Sequence, residues 1–474
     1  NGFEREINPK IFNIALTHPE IIEGSDKTIF KNIYQVKPGH FLTLRKNEQP
    51  FISQWWNTAD NFVKVPSSYN KQVEEFTNLF ESACKLRMRS DVTIASALSG
   101  GLDSSSVYCT LYKLNRSKSV IERLPRSWQK AFVATFPNTS MDERKYAEQV
   151  VKHVNGEATY IIPDYKNLVS DVINATKLFD GIIKTPITSI SDVYKSMRKN
   201  DVTVSLDGHA VDEMMYGYNS YVFDAFYDCI SKKEFKKAQE YAKIICSLSP
   251  DYSYDSLLKT IKSYDKSFLQ KGAGFIKNKF LKPGHSNKNP KNHGNEWGPE
   301  IDVNTYNEII SKYISPEHLS KPEQVLYDDF HYRSLPINLR DFDRASMQHG
   351  IEIRMPFMDY RLVQYVFSLP IDSKLGGGFT KRILRDAMKE TLPEEIRTRT
   401  LKIGIGAPMK EWFNNELKEF VLDEISSIEF QNSIYWNGKK IKSDFDKAYC
   451  EQTLDKNFCN KGWAYINANL ILNG

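Results

Sequence analysis

The sequence predicts an α/β protein built on a parallel sheet with helices on both faces, and three observations lead there. Short apolar runs that read as strands, "VTIASAL" (92–98), "KAFVATF" (130–136), "EATYIIP" (157–163) and "DVTVSLD" (201–207), alternate with segments of helical spacing. The first of these runs reads as a buried strand, as a sheet covered on both sides requires. The runs ending near 98, 136 and 207 pass into loops of glycine, serine and acidic residues, and such sheets bind ligands beyond the carboxyl ends of their strands. Those three loops are therefore expected to converge on one site.

Taken in order, residues 1–57 contain short β-type pieces such as "IYQVKPGHFLTLR" and "FISQWW", too little for a core of their own; they read as the tail of a domain. The pattern from Gln72 to Met88 is helical, as are "SVYCTLYKL" after the first loop and "RKYAEQVVKHV" after the second. The remainder reads as mostly helical. The exception is 262–300, rich in Lys, Asn, Gly and Pro, which reads as a surface loop; a solvated insertion is preferred over a lid.

Composition narrows the class. With 474 residues, 41% hydrophobic and 26% charged, the chain can bury a large core and divide into two or three domains. A net charge of +5 over this length favours anions only weakly, so no nucleic-acid partner is expected. No apolar run is long enough to span a bilayer and the first residues lack a secretory layout, so no membrane partner and a cytoplasmic location are expected. The six cysteines form no CxxC or Cys/His cluster, which points to reduced, structural thiols. The opening on Asn1 is read as an excerpt or a processed product.

The stretch "ALSGGLDSSS" (97–106) carries the chemistry. A strand that ends in Ser99-Gly100-Gly101 and enters a helix at once leaves backbone N–H groups free at the helix start, and glycines let an anion come close. Ser104, Ser105 and Ser106 add hydroxyls. There is no Walker-type GK[ST], and Asp103 would repel phosphate unless a cation stood between them. Magnesium, which takes one or two carboxylates together with phosphate oxygens, supplies that bridge, so a second acid should meet it. A serine-capped turn is the plain alternative. The second acid is sought in "SLDGHAVDEMMYGY" (205–218), where Asp207, Asp212 and Glu213 follow a strand of the same sheet and Gly208 permits a close approach; a solvated acidic turn is the plain alternative there.

These residues carry a resemblance. "SGGLDSS" (99–105) resembles the pyrophosphate-binding loop of the N-type ATP pyrophosphatases, a HUP-like α/β fold. The acidic block, "LRDFDRASMQHGIEIRMPFMDYRLVQYVFSLP" (339–370) and "TKRILRDAMKETLPEEIRTRTLKIGIGAPMKEWF" (380–413) resemble, in order, the blocks of the glutamine-hydrolysing asparagine synthetases. β-Lactam synthetases and lasso-peptide cyclases share the architecture. The resemblance implies ATP and Mg2+ as cofactors. It makes Ser99, Gly100, Gly101, Ser104 and Ser105 the pyrophosphate cradle and Asp103 with Asp212 the metal ligands, and it places Leu98 and Gly208 against adenine. Lys402 falls at a lysine that in the family faces pyrophosphate and the acyl-adenylate, and Glu213 is placed with the catalytic group. Thr188 and Ser189, in "KTPITSISDVY" (184–194), fall where the substrate carboxylate is held.

Three departures qualify this. His209 stands where many asparagine synthetases have a carboxylate or amide; an imidazole there could take a proton from the attacking amine or hydrogen-bond substrate. The arginine near the substrate hydroxyls is missing, which leaves aspartate or another carboxylate open as acceptor. The resemblance also gives 1–57 as only the closing portion of an N-terminal nucleophile (Ntn) glutaminase domain and 58–474 as the ATP pyrophosphatase domain, with the nucleophile half expected upstream or on a separate subunit. The expected function is an ATP-dependent ligase that adenylates a carboxylate, releases pyrophosphate and amidates the acyl-adenylate with ammonia ordinarily drawn from glutamine. An intramolecular amide-forming cyclase and a tRNA-modifying pyrophosphatase are the alternatives, the latter disfavoured by the missing cysteine pair and the lack of a basic, aromatic surface. A small-molecule carboxylate and ammonia are the expected partners, and a homodimer is compatible with the sequence.

Overall fold

The structure is a computed structural model that describes residues 5–117, 130–137, 139, 141–179, 181–249, 251–270, 296–298, 300–401 and 407–473. In chain order its main strands are β1 (His40–Thr43), β2 (Phe51–Gln54), β3 (Ile94–Ala97), β4 (Lys130–Ala134), β5 (Glu157–Ile161), β6 (Val204–Leu206) and β7 (Glu352–Arg354). Strands β1 and β2 form an antiparallel hairpin. The other five make one sheet in the order β5-β4-β3-β6-β7, with every pairing parallel.

The order fixes where a ligand can go. The chain winds outward from β3 through β4 to β5, then returns to lay β6 on the other side of β3. The reversal between β3 and β6 is the crevice in which open parallel sheets bind their ligands, and the two motif-bearing loops leave from these two strands.

Alternation along the strands sends side chains into two cores. Ile94, Ala131, Val133 and Val204 join Phe76, Phe80 and Val107 on one face. Ala95 and Phe132 join Val193, Tyr194 and Trp412 on the other. Period-two burial on both faces is what makes these strands read as continuous apolar runs.

Two readings of the sequence are corrected. β7 lies inside a stretch read as helical: at three residues it is too short to show a period, and its strand character comes from pairing with β6 at Val204↔Glu352. Residues 262–270, read as part of a loop, continue the helix Tyr254–Gln270, whose apolar residues recur at helical spacing. Of the rest of that insertion, 271–295 and 299 lie outside the described residues, and Trp297 is buried in the core rather than on a surface loop.

The helix Pro9–Thr17 starts with Asn8 accepting from the Ile11 N–H and with proline in its first turn. Its Ile11, Phe12 and Ile14 enter the core that holds Trp412 and Trp463. The β1–β2 hairpin, by contrast, leaves Phe41, Leu42, Phe51 and Ile52 exposed.

Candidate active site

A cavity of about 380 Å³ opens at the carboxyl ends of β3, β4 and β6 and is lined by all three of the loops that leave them. The first of these is held by its own hydroxyls. Ser104 Oγ accepts from the Ser99 N–H at 3.2 Å and lies 3.1 Å from Ser99 Oγ, which accepts from the Gly101 N–H at 3.2 Å. The helix Leu102–Arg116 follows with no side chain capping its first turn, so that end is open to an anion. Gly100 has φ +78°, and a Cβ there would stand 2.4 Å from the Ala147 nitrogen; only glycine lets the loop lie against the next helix.

The second loop presses on the first. A Cβ on Gly208 would come within 2.7 Å of the Asp103 carbonyl carbon and the Ser104 nitrogen. That contact aims two acids, far apart in sequence, at one point. Asp103 Oδ2 and Asp212 Oδ1 each lie 2.6 Å from the same atom, Lys381 Nζ. Lys381 is 5% exposed. Burial disfavours its ammonium, but the charges of Asp103 and Asp212 and their hydrogen bonds outweigh that and raise its pKa above the ordinary lysine value.

The backbone around this trio is strained. Ala210, Tyr216 and Lys381 all adopt left-handed φ (80°, 59° and 53°), and the Lys381 N–H donates to the Met215 carbonyl at 3.0 Å. Non-glycine residues stay in that region only where their surroundings hold them, and such strain gathers at functional sites.

The other charges have partners close by, although Arg399 Nε is buried without a hydrogen bond. Arg385 is buried, which brings its pKa down to about 10, and it donates to the carbonyls of Thr380 (2.8 Å) and Arg399 (2.9 Å). Arg399 pairs with Glu143 at 2.7 Å and lies 3.8 Å over the Tyr146 ring. Asp207 accepts from Ser205 Oγ, Tyr194 Oη (2.8 Å) and the Ala97 N–H (3.2 Å). Burial alone would raise its pKa; His209 and these donors hold it below the ordinary carboxylate value. Asp207 thus ties β6 to β3 and is not free to bind a metal.

Of the residues expected from sequence, Leu98, Ser99, Gly101, Asp103 and Ser104 line the cavity, as do Ser189, Gly208, His209, Asp212 and Glu213. His209 Nε2 is 3.6 Å from Asp207 Oδ2, and its ring packs 4.0 Å from that of Phe342. Glu213 accepts from Tyr218 Oη at 3.0 Å. Gly100 shapes the loop without lining the cavity, and Ser105 is fully buried with its hydroxyl unpartnered. Thr188 and Ser189 are also buried with unpartnered hydroxyls, and only Ser189 reaches the cavity wall. Lys402 lies outside the described residues. Sequence reasoning passed over Lys381 and the Arg399–Glu143 pair. Lys381 stands in the quoted "TKRIL", but nothing local reveals a partner 278 residues away.

The asparagine synthase family profile matches residues 75–471. The chain belongs to this family. Among proteins to which it is similar, asparagine synthetase [glutamine-hydrolyzing] 1 of Bacillus subtilis (strain 168) is 23% identical over 397 residues, covering 83% of this chain and 58% of that protein. Amidase chry2 of Gibberella zeae is 22% identical over 482 residues, covering 90% and 66%. Amidase chyE of Penicillium rubens is 23% identical over 467 residues, with the same two shares. The chain therefore spans roughly three-fifths to two-thirds of the length of these family relatives. No helix among the described residues is long and apolar enough to cross a membrane.

Proposed function

We propose that the protein is an ATP-dependent amide-forming ligase that adenylates a carboxylic acid and passes the acyl group to ammonia. The observation that carries this reading is the convergence of Asp103 and Asp212 on one buried cationic point at the sheet's switch point, beside an uncapped helix N-terminus.

The two carboxylates suit a magnesium ion by the chemistry of their oxygens, beside the Lys381 ammonium that lies between them. Two carboxylate oxygens already share one cation, and magnesium takes one or two carboxylates and leaves its other positions to phosphate and water. Among the described residues no third acid, histidine or cysteine completes an all-protein metal cage, which suits a metal that arrives with a nucleotide. Asp103 and Asp212 would hold it, and when bound it would neutralise phosphate charge. Leu98 and Gly208 would flank adenine, with Ser99, Gly101 and Ser104 at the pyrophosphate. Lys381 and Lys402 would add positive charge there.

In the first step an acceptor carboxylate oxygen attacks the α-phosphorus of ATP, the α–β phosphoanhydride bond breaks and pyrophosphate leaves. The Lys381 ammonium keeps Asp103 and Asp212 from repelling these anions. In the second, the amine nitrogen attacks the acyl carbon and AMP leaves with the bonding electrons. The amine's proton passes to His209, whose Nε2 faces Asp207 Oδ2 and whose ring lines the cavity. Tyr218 holds Glu213 at the same wall.

A second cavity of about 870 Å³ shares Leu335 and Leu339 with the first and reaches the N-terminal segment. It supports an amine that comes from outside, and we keep glutamine as its source and 1–57 as the close of a glutaminase domain as proposals. The six free cysteines support a cytosolic location. The deciding experiment incubates the protein with carboxylic acids, ATP, magnesium and ammonium. Pyrophosphate and AMP in equal amounts support the reading; ADP and phosphate would exclude it.

A further inference from the structure

On the ligase reading just given, we infer that Lys381 is an exchangeable counter-ion: its ammonium holds the place between Asp103 and Asp212 until a nucleotide and its divalent metal arrive together, and it then passes to the phosphates. That place admits one cation at a time. Lys381 Nζ lies 2.6 Å from Asp103 Oδ2 and 2.6 Å from Asp212 Oδ1, and all three side chains are largely buried. A metal ion bound by the same two oxygens would have to stand where the nitrogen stands.

Neither half of the exchange is favourable alone. Withdrawing the ammonium with nothing in its place leaves two buried carboxylates facing each other, and adding a divalent ion without withdrawing it crowds two cations together out of water. A metal without nucleotide would also gain few protein oxygens, while magnesium gives up its water reluctantly. When metal and phosphates come together, the metal neutralises the two acids and the phosphates receive the displaced ammonium, so that every charge keeps a partner.

The chain around Lys381 suits a side chain that moves on a backbone that does not. Its N–H donates to the Met215 carbonyl at 3.0 Å, its carbonyl accepts from the Arg385 N–H at 3.0 Å, and its left-handed φ of 53° is held between the strand Phe379–Thr380 and the helix Arg382–Ala387. The ammonium hangs from that anchor on a flexible four-carbon stem. Lys381 lines the same cavity as Ser99, Gly101 and Ser104 of the phosphate loop, so a swing of this side chain within one cavity joins the acids to the pyrophosphate cradle.

The test counts bound Mn2+, a paramagnetic stand-in for magnesium, by electron paramagnetic resonance, with and without an ATP analogue whose α and β phosphorus atoms are bridged by a methylene. The parent should take up no Mn2+ at sub-millimolar concentration by itself and should take it up with the analogue. Lys381→Gln and Lys381→Met, checked for folding by thermal melts, should each bind Mn2+ without nucleotide at least about tenfold more tightly than the parent, and adding Asp212→Asn to either should abolish that binding. Calorimetric titration of the analogue closes the cycle: the factor by which Mn2+ raises its affinity should be larger in the parent than in the variants by about the same tenfold. Mn2+ bound by the parent alone, a result that needs no variant, overturns the exchange and leaves the ligase reading standing, as do folded variants that bind Mn2+ no better than the parent. Failure of the parent to bind the analogue with Mn2+ present overturns the ligase reading, and the Mn2+ count in the variants then still decides whether Lys381 and a divalent ion compete for the two acids.

Discussion

Three basic side chains set into the interior of this protein differ in how many carboxylates face them. His331 has none: Nδ1 contacts the Tyr327 carbonyl at 2.9 Å and Nε2 the Thr58 hydroxyl at 2.8 Å. Lys374 has one, Glu323, at 3.3 Å. Lys381, seven residues on, has two at 2.6 Å. Desolvation acts against the charged form in all three, lowering the His331 pKa to about 4 and leaving Lys374 below the ordinary lysine value despite its partner. Only the lysine with two acids is pushed upward. One carboxylate offsets part of the desolvation and two exceed it. A protein that needed only a neutral interior would gain nothing from a second acid at Lys381. The surplus of negative charge there makes sense if the point must also accept a divalent ion and phosphate.

The largest effects should follow from breaking the two-acid arrangement. Asp103→Asn turns Lys381 into a lysine with one acid, like Lys374, and should lower pyrophosphate release at least about 100-fold. Lys381→Met leaves two buried carboxylates facing each other and should do at least as much, with a lower melting temperature. Both are read by acid-dependent pyrophosphate release beside thermal unfolding. Activity within a few-fold of the parent in either variant would make the trio a structural ion pair like the other.

The next effect is a pH dependence that belongs to the basic side chain with no acid. His331 has a folded pKa of about 4, below the unfolded value near 6.5, so the unfolded chain takes up the proton first. Its contribution to stability is complete above about pH 6.5, falls as pH drops towards 4 and changes no further below that. The loss should reach about 2 kcal/mol by pH 5. Denaturant melts at pH 7.5 and pH 5 should show it, and His331→Gln, which keeps hydrogen-bonding groups without titrating, should remove that part of the slope. An unchanged slope in the variant would place the acid sensitivity elsewhere.

How far sequence reached follows from the same distinction. Strands β3, β4 and β6 and their loops were legible because burial on both faces and glycine at forced backbone positions leave local marks. That Asp103 asks for a cation was legible from charge, since it is an acid in a phosphate loop; that Asp212 is the acid beside it, out of Asp207, Asp212 and Glu213, came only from the family resemblance. The identity of that cation in the folded chain, Lys381, was not, because the pairing is made by the fold across 278 residues. Ser104 and Ser105 show the limit at close range. They are neighbours in sequence, but one step along a helix turns a side chain by about 100°, so Ser104 faces the loop and Ser105 the core.

The smallest effects separate Lys374 from Lys381 by stability instead of activity. Glu323 accepts from the Ser320 N–H (3.1 Å) and hydroxyl (2.6 Å) at the start of the helix Lys321–His331, so Gln in its place keeps an oxygen for the cap while removing the charge that Lys374 needs. Glu323→Gln should therefore destabilise by about 2 kcal/mol, because a buried ammonium must either stay unpaired or lose its proton. Adding Lys374→Met removes that ammonium and fills its space with an apolar chain of similar length. The double variant should return to within about 1 kcal/mol of the parent in urea melts, with pyrophosphate release unchanged. Recovery of stability at Lys374, set against lasting loss of activity at Lys381, is the outcome that assigns the first pair to the fold and the second to the reaction. A double variant as unstable as the single one would mean that the charge on Lys374 itself is required by its surroundings.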